Sequence, residues 1–132
     1  MAESKTEPHP LVTFETFEEF DDLVKECKEN GVTLIACFST TWCGPCKAIA
    51  PFLKEQAEAF ANKKGVVLAK TVNADEDDMM DGLVSTYTIR VAGIPHFAVM
   101  QDGFYVKEKS WKGADRDLLV KRMTEFTSTQ KN

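Results

Sequence analysis

The sequence predicts an α/β fold with the element order β-α-β-α-β-α-β-β-α. Three observations predict it. Val32–Phe38 and Val66–Val72 are almost continuously apolar or β-branched, the pattern of strands covered on both faces. Segments with apolar residues three and four apart, the spacing of one helix face, lie before, between and after them. Asp102-Gly103 sits between two further strand-like runs, which is a hairpin signal. A chain of 132 residues suits one domain on one core, and no internal repeat or linker interrupts it.

Residues 1–10 read as a polar, proline-bearing arm and residues 11–127 as the domain. Leu11-Val12-Thr13-Phe14 is a short first strand. Thr16 stands three residues before Glu19, a capping-box pattern, and opens a helix to about Lys28. Phe17, Phe20, Leu23, Val24 and Cys27 form its apolar face, and Asn30-Gly31 ends it. After the strand at Val32–Phe38, a helical run over Lys47–Asn62 turns Ile49, Phe52, Leu53, Ala57 and Phe60 inward. Pro51 should kink this helix, because it cannot donate the i to i−4 bond. Gly65 closes it, and Val66–Val72 follows as a strand. Asp75-Glu76-Asp77-Asp78 has the acids of a helix first turn, read as a solvated helix start rather than a metal site. Met79, Met80, Leu83 and Val84 supply its apolar contacts, as core filling rather than as ligands. Phe97–Met100 and Tyr105–Ser110 flank the hairpin turn. Gly113 precedes a last helix bearing Leu118, Leu119, Met123 and Phe126, and residues 128–132 read as a polar tail.

The chemistry concentrates at Thr41-Trp42-Cys43-Gly44-Pro45-Cys46-Lys47, between the second strand and second helix. Cys43 falls just ahead of a helix start and Cys46 in its first turn. Unpaired N–H groups there favour negative charge, so they favour the thiolate of Cys43, the form that attacks a disulfide. The i, i+3 spacing brings the second sulfur within bonding reach. Pro45 lacks the N–H that would be unpaired at a helix start. Gly44 adds no side chain to shield Cys43.

Trp-Cys-Gly-Pro-Cys-Lys at 42–47, with Pro51 in the following helix, resembles the active site of the thioredoxin family. The likeness covers roughly residues 11–127. It implies the thioredoxin fold, a mixed central sheet of about five strands with about four helices on its two faces. It implies a protein-disulfide reductase in which Cys43 is the nucleophile and Cys46 resolves the mixed disulfide. Gly44 and Pro45 would tune the reduction potential. Ile89–Phe97 resembles the family segment before the fourth strand, where the X-Pro bond is cis. By that likeness Pro95 is cis, although a trans proline at a strand start is the plainer alternative. Trp42, Gly93, Ile94 and Pro95 would line a shallow client groove. No bound cofactor is implied. Electrons would come from NADPH through a thioredoxin reductase, and the clients would be disulfide-containing proteins, peroxiredoxins among the candidates.

The sequence departs from the family at three places. The usual buried aspartate, five residues before the tryptophan, is Cys37. Counting back from Asp75 puts Thr71 where the family carries a lysine, with Lys70 one place off and therefore on the other face. By this count both members of the buried pair are lost together, leaving Cys37, a water or the departing thiolate to take the Cys46 proton. His96 replaces the threonine after Pro95. It reads either as a strand-start side chain or as a groove residue titrating near neutral pH. The connection from Gly103 to Gly113 is two residues longer than usual, which would reshape an edge far from the sulfurs. Cys27 and Cys37 read as small buried hydrophobes, and a disulfide between them stays open.

Composition narrows the class. The net charge of −5 argues against a nucleic-acid binder. Met1-Ala-Glu-Ser-Lys-Thr-Glu-Pro-His-Pro has no apolar signal core and is not arginine-rich, and no run is long enough to cross a bilayer. A cytoplasmic monomer without membrane attachment is expected. Four cysteines with one close pair fit a redox site better than a zinc site, so no metal is expected. A rival class is a regulatory module whose redox state gates one partner. A narrower rival is a reductase dedicated to one client.

Overall fold

A computed structural model describes residues 10–129. Most of the arm and residues 130–132 of the tail therefore lie outside the described residues. The elements are β1 (Val12–Thr13), α1 (Phe17–Asn30), β2 (Thr33–Phe38), α2 (Gly44–Ala59), β3 (Val66–Thr71), α3 (Asp77–Gly82), β4 (His96–Gln101), β5 (Phe104–Tyr105), β6 (Trp111–Lys112) and α4 (Arg116–Thr129). A π-helical turn, Leu83–Tyr87, continues α3, and a 3-10 turn, Lys107–Lys109, separates β5 from β6. The sheet runs β1-β3-β2-β4-β5, with β6 also on β4. Strands β1, β3 and β2 are parallel, and β4 is antiparallel to β2, so the sheet is mixed.

Both faces of the sheet are covered, which is why β2 is buried at every position. Leu34, Ala36, Phe38, Ala69, Ala98 and Met100 face α1 and α3, meeting Phe20, Val24, Met79 and Leu83. Ile35, Cys37, Leu68, Phe97 and Val99 face α2 and α4, meeting Ile49, Leu53, Leu119 and Phe126. Strand alternation assigns the faces. Cys27 belongs to the first layer and Cys37 to the second, so the sheet lies between them and a Cys27–Cys37 disulfide is ruled out in this fold.

The helix ends follow local chemistry. Thr16 caps α1, its hydroxyl accepting the Glu19 N–H at 3.1 Å. The Glu19 carboxylate reaches back one residue further than a capping box requires, to the Glu15 N–H at 2.7 Å. Gly31 closes the helix at φ 69° with its N–H on the Cys27 and Lys28 carbonyls. Helix α2 spans Gly44–Ala59 and not the expected Lys47–Asn62, and it continues through Pro51.

Four further expectations are corrected. Helix α3 begins at Asp77, so Asp75 is not part of its first turn and serves elsewhere. The stretch Tyr105–Ser110 is not a continuous strand. A 3-10 turn, Lys107–Lys109, interrupts it, and the Ser110 hydroxyl accepts the Val99 N–H at 2.9 Å. Nor does this edge stay far from the site. Strand β6 pairs with β4 at His96, and the Gly113 N–H donates to the Pro95 carbonyl at 2.8 Å. Helix α4 also extends to Thr129, two residues into the segment read as a tail.

Candidate active site

Strand β2 ends at Phe38, and the chain turns through Ser39–Trp42 before α2 starts. Cys43 is the N-cap residue of α2, with extended backbone at φ −88°, ψ 114°. Its sulfur accepts the Cys46 N–H at 3.2 Å, so one of the open helix-start donors points at it. Cys43 and Cys46 are joined as a disulfide, with Cα atoms 5.3 Å apart. Both are largely covered, at 5% and 6% exposure. Gly44 and Pro45 lie between them in the first turn, and both are exposed. A Cβ on Gly44 would meet nothing within 4 Å, so the protein's own packing does not require a glycine there.

Trp42 stands beside this pair at 66% exposure, and its indole N–H donates to Asp75 Oδ2 at 3.0 Å. Sequence reasoning assigned Asp75 to a helix start. The hydrogen bond instead makes it the residue that holds the tryptophan. The Ile94–Pro95 peptide bond is cis. Trp42, Gly93 and Ile94 line a cleft of about 220 Å³ with Thr40, Ala74, Asp75, Met80, Val91 and Ala92. Pro95 is buried and is not among its lining residues. Thr40, Met80, Val91 and Ala92 were not foreseen. Only the exposed apolar Met80 carried any sequence signal, as the second of two methionines where one suffices for the core.

The assignment of His96 to the groove is not supported. Its side chain is on the α1–α3 face, 6.4 Å from the Phe38 ring centroid and 6.5 Å from that of Tyr105, with Nε2 3.4 Å from the Tyr105 hydroxyl. Burial first, and Lys112 second, push its pKa below the ordinary histidine value, so it is neutral near pH 7. Alternation along β4 explains the outcome. A residue that follows the buried Pro95 on a strand covered on both sides points into a layer, not out to a client.

Cys37 and Lys70 require a second correction. The parallel register pairs Cys37 with Lys70 and Phe38 with Thr71. Paired residues share a face, and Lys70 follows Val66 and Leu68 on the α2 side. Lys70 is thus beside Cys37 and not on the opposite face, and the cation was kept where the carboxylate was lost. Burial pushes the Cys37 thiol up to about 12, while Lys70 pulls the other way. At neutral pH Cys37 is a neutral thiol. Burial likewise raises Cys27 to about 11.

The Thioredoxin family model matches residues 11–125. The chain belongs to the thioredoxin family. Thioredoxin-1 of Caenorhabditis elegans is 33% identical over 112 residues, 85% of this chain and 86% of that protein. Thioredoxin H9 of Arabidopsis thaliana is 32% identical over 111 residues, 84% of this chain and 71% of the relative. A crystal structure of a poplar wild-type thioredoxin h superposes with a TM-score of 0.71 at 28% identity, covering 88% of this chain and 95% of the other. Family membership and the bonded cysteine pair make this thioredoxin-family protein a thiol-disulfide oxidoreductase acting on disulfide substrates. Among the described residues no helix is long and apolar enough to cross a membrane.

Proposed function

We propose that Cys43 opens client disulfides and Cys46 closes the cycle. The observation that carries this is the Cys43 sulfur at the N-cap of α2, accepting the Cys46 N–H. That position favours the thiolate over the thiol at Cys43. The Cys43 thiolate attacks one client sulfur, forming a mixed disulfide and expelling the other client sulfur as a thiolate. Cys46 loses its proton and attacks the Cys43 sulfur. The client's second thiolate leaves, and two electrons have passed from the cysteine pair to the client. Cys37 is unsuited to accept the Cys46 proton, since its thiol is neutral and burial opposes its ionisation. The expelled client thiolate is the acceptor consistent with the site.

The oxidised pair is returned to the dithiol by a thioredoxin reductase drawing on NADPH, and the protein itself holds no redox cofactor. Clients are proteins with accessible disulfides, which dock on Trp42, Gly93, Ile94 and the backbone around cis-Pro95. Gly44, open to solvent, lets the client approach Cys43, and with Pro45 it sets the potential. The compartment is the cytosol.

Insulin reduction with NADPH and thioredoxin reductase tests the scheme. Wild type should turn over many times. Cys43→Ser should lose more than about 99% of the rate, since no other described thiol is poised to attack. Cys46→Ser should accumulate a mixed disulfide with the client. Stoichiometric capture without turnover by the wild type would favour the regulatory module.

A further inference from the structure

Strand β6 brings a lysine to the loop that ends in cis-Pro95. It runs antiparallel to β4, with Lys112 opposite His96 and Trp111 opposite Phe97. Opposed residues share a face of the sheet. Trp111 stacks on Phe97 in the α2–α4 layer. Lys112 therefore stands with His96 on the other side, the side of α3 and of the cleft beside Trp42. The Gly113 N–H fastens this end of β6 to the Pro95 carbonyl at 2.8 Å. From its place opposite His96 the lysine stem reaches back to Gly93. A Cβ built on Gly93 would lie 2.9 Å from Lys112 Cδ and 3.9 Å from its Cβ and its Cε. The methylenes thus lie over Gly93, which lines the cleft, and long cationic side chains cover surface in this way while the charge stays in water. The residue is exposed. Among the described residues no carboxylate pairs with its ammonium.

The charges around the docking surface are therefore unequal. At the Trp42 side the nearest carboxylate is Asp75, and Trp42 engages one of its oxygens. At the Gly93 side the charge is positive and unpaired. We propose that Lys112 is a specificity-determining residue, whose ammonium pairs with an aspartate or glutamate of the client close to its disulfide. A client segment laid along Gly93, Ile94 and cis-Pro95 passes the lysine stem, so a side chain a few residues from the attacked sulfur comes within its reach. An acidic side chain gains there, and a basic one is repelled. The local cation matters more because the chain as a whole carries a net charge of −5 and repels acidic clients at a distance. Because β6 and Gly93 fix the base and the stem of Lys112, part of the ordering cost of the ion pair is met before the client arrives. The inference rests on the reductase reading and adds its client preference.

The test uses the full-length protein, reduced beforehand with dithiothreitol, so that no reductase is needed. Disulfide-bridged peptides are compared in pairs that differ only as Glu against Gln, at each of the three positions on either side of the attacked cysteine. The peptide's own reactivity cancels when the Glu/Gln rate ratio of wild type is divided by that of Lys112→Gln. At one position or more this quotient should be about threefold at low salt, the scale of one exposed ion pair. It should fall toward one in about 0.5 M sodium chloride, where charges are screened within a few ångströms. Lys112→Arg should keep the wild-type ratio, and Lys112→Glu should push it below that of Lys112→Gln. Melting curves establish that each variant is folded, as a change at an exposed position allows. A quotient near one at every position overturns the proposal, provided the peptides are reduced. So does a quotient that high salt leaves unchanged, which would trace the effect to packing of the stem, or a Lys112→Glu variant that favours Glu peptides as wild type does. If wild type reduces neither member of any pair, the reductase reading itself fails, and this one with it.

Discussion

Cys37 shows how much one side chain's environment decides. A carboxylate here would be raised by burial and lowered by Lys70, whereas the thiol is pushed up to about 12 and stays neutral near pH 7. Cys37→Asp should therefore add an ionisation to the pH profile of disulfide reduction between pH 5 and 9. Superimposable profiles for the two proteins would rule out any influence of this position on Cys46. His96 makes a second residue-scale prediction. Its folded pKa lies below the unfolded value, so the unfolded chain takes up the proton first. Stability should be highest above about pH 6.5 and fall as the pH drops from there toward the folded pKa. Melting temperatures measured from pH 7.5 to 5 should show that slope in wild type, and His96→Thr should flatten it. A slope of the same size in the variant would place its origin elsewhere.

At the scale of elements, α1 and α3 meet more closely than their sequences suggest. A Cβ built on Gly82 would lie 2.3 Å from the Phe17 ring, so the glycine is needed where α3 passes into the π-helical turn. Helix propensity favours Gly82→Ala by up to ~1 kcal/mol, but overpacking against a ring costs about 1–3 kcal/mol. The second effect should win, and urea unfolding should register a net loss. The cysteine motif, α2, β2 and the hairpin turn were legible, because their signals are local: an apolar run, a helix-start pattern, an Asp-Gly pair. The 3-10 turn was not. It is held by partners distant in sequence, with Lys109 Nζ 2.5 Å from Glu125 and Arg122 donating to the Lys109 carbonyl at 3.1 Å. Glu125 also receives Arg122 at 3.0 Å, and the two cations hold its pKa below the usual carboxylate value. Half-exposed pairs of this kind stabilise little, so Glu125→Gln should lower stability by no more than about 1 kcal/mol.

Across the whole molecule, one sheet separates two apolar layers, and neither layer is a unit that could persist alone. Strand β2 supplies Leu34, Ala36 and Phe38 to one and Ile35 and Cys37 to the other. The layers should therefore unfold together. Trp111, stacked on Phe97 at 4.7 Å, reports on the α2–α4 layer, and Phe20 lies in the other. Phe20→Ala should cost about 3–5 kcal/mol and move the Trp111 fluorescence transition and the far-ultraviolet circular dichroism transition in urea by the same amount. Two separated midpoints would show that the layers are independent.

The amino-acid order alone determined the reactive pair, the element order and the α/β class, because helix starts, strand runs and i, i+3 spacing are properties of neighbours along the chain. Only the folded arrangement decided which residues share a face. Sheet register put Lys70 beside Cys37 and turned His96 inward. A shift of one residue reverses each such assignment, and register is set by contacts between strands far apart in the sequence.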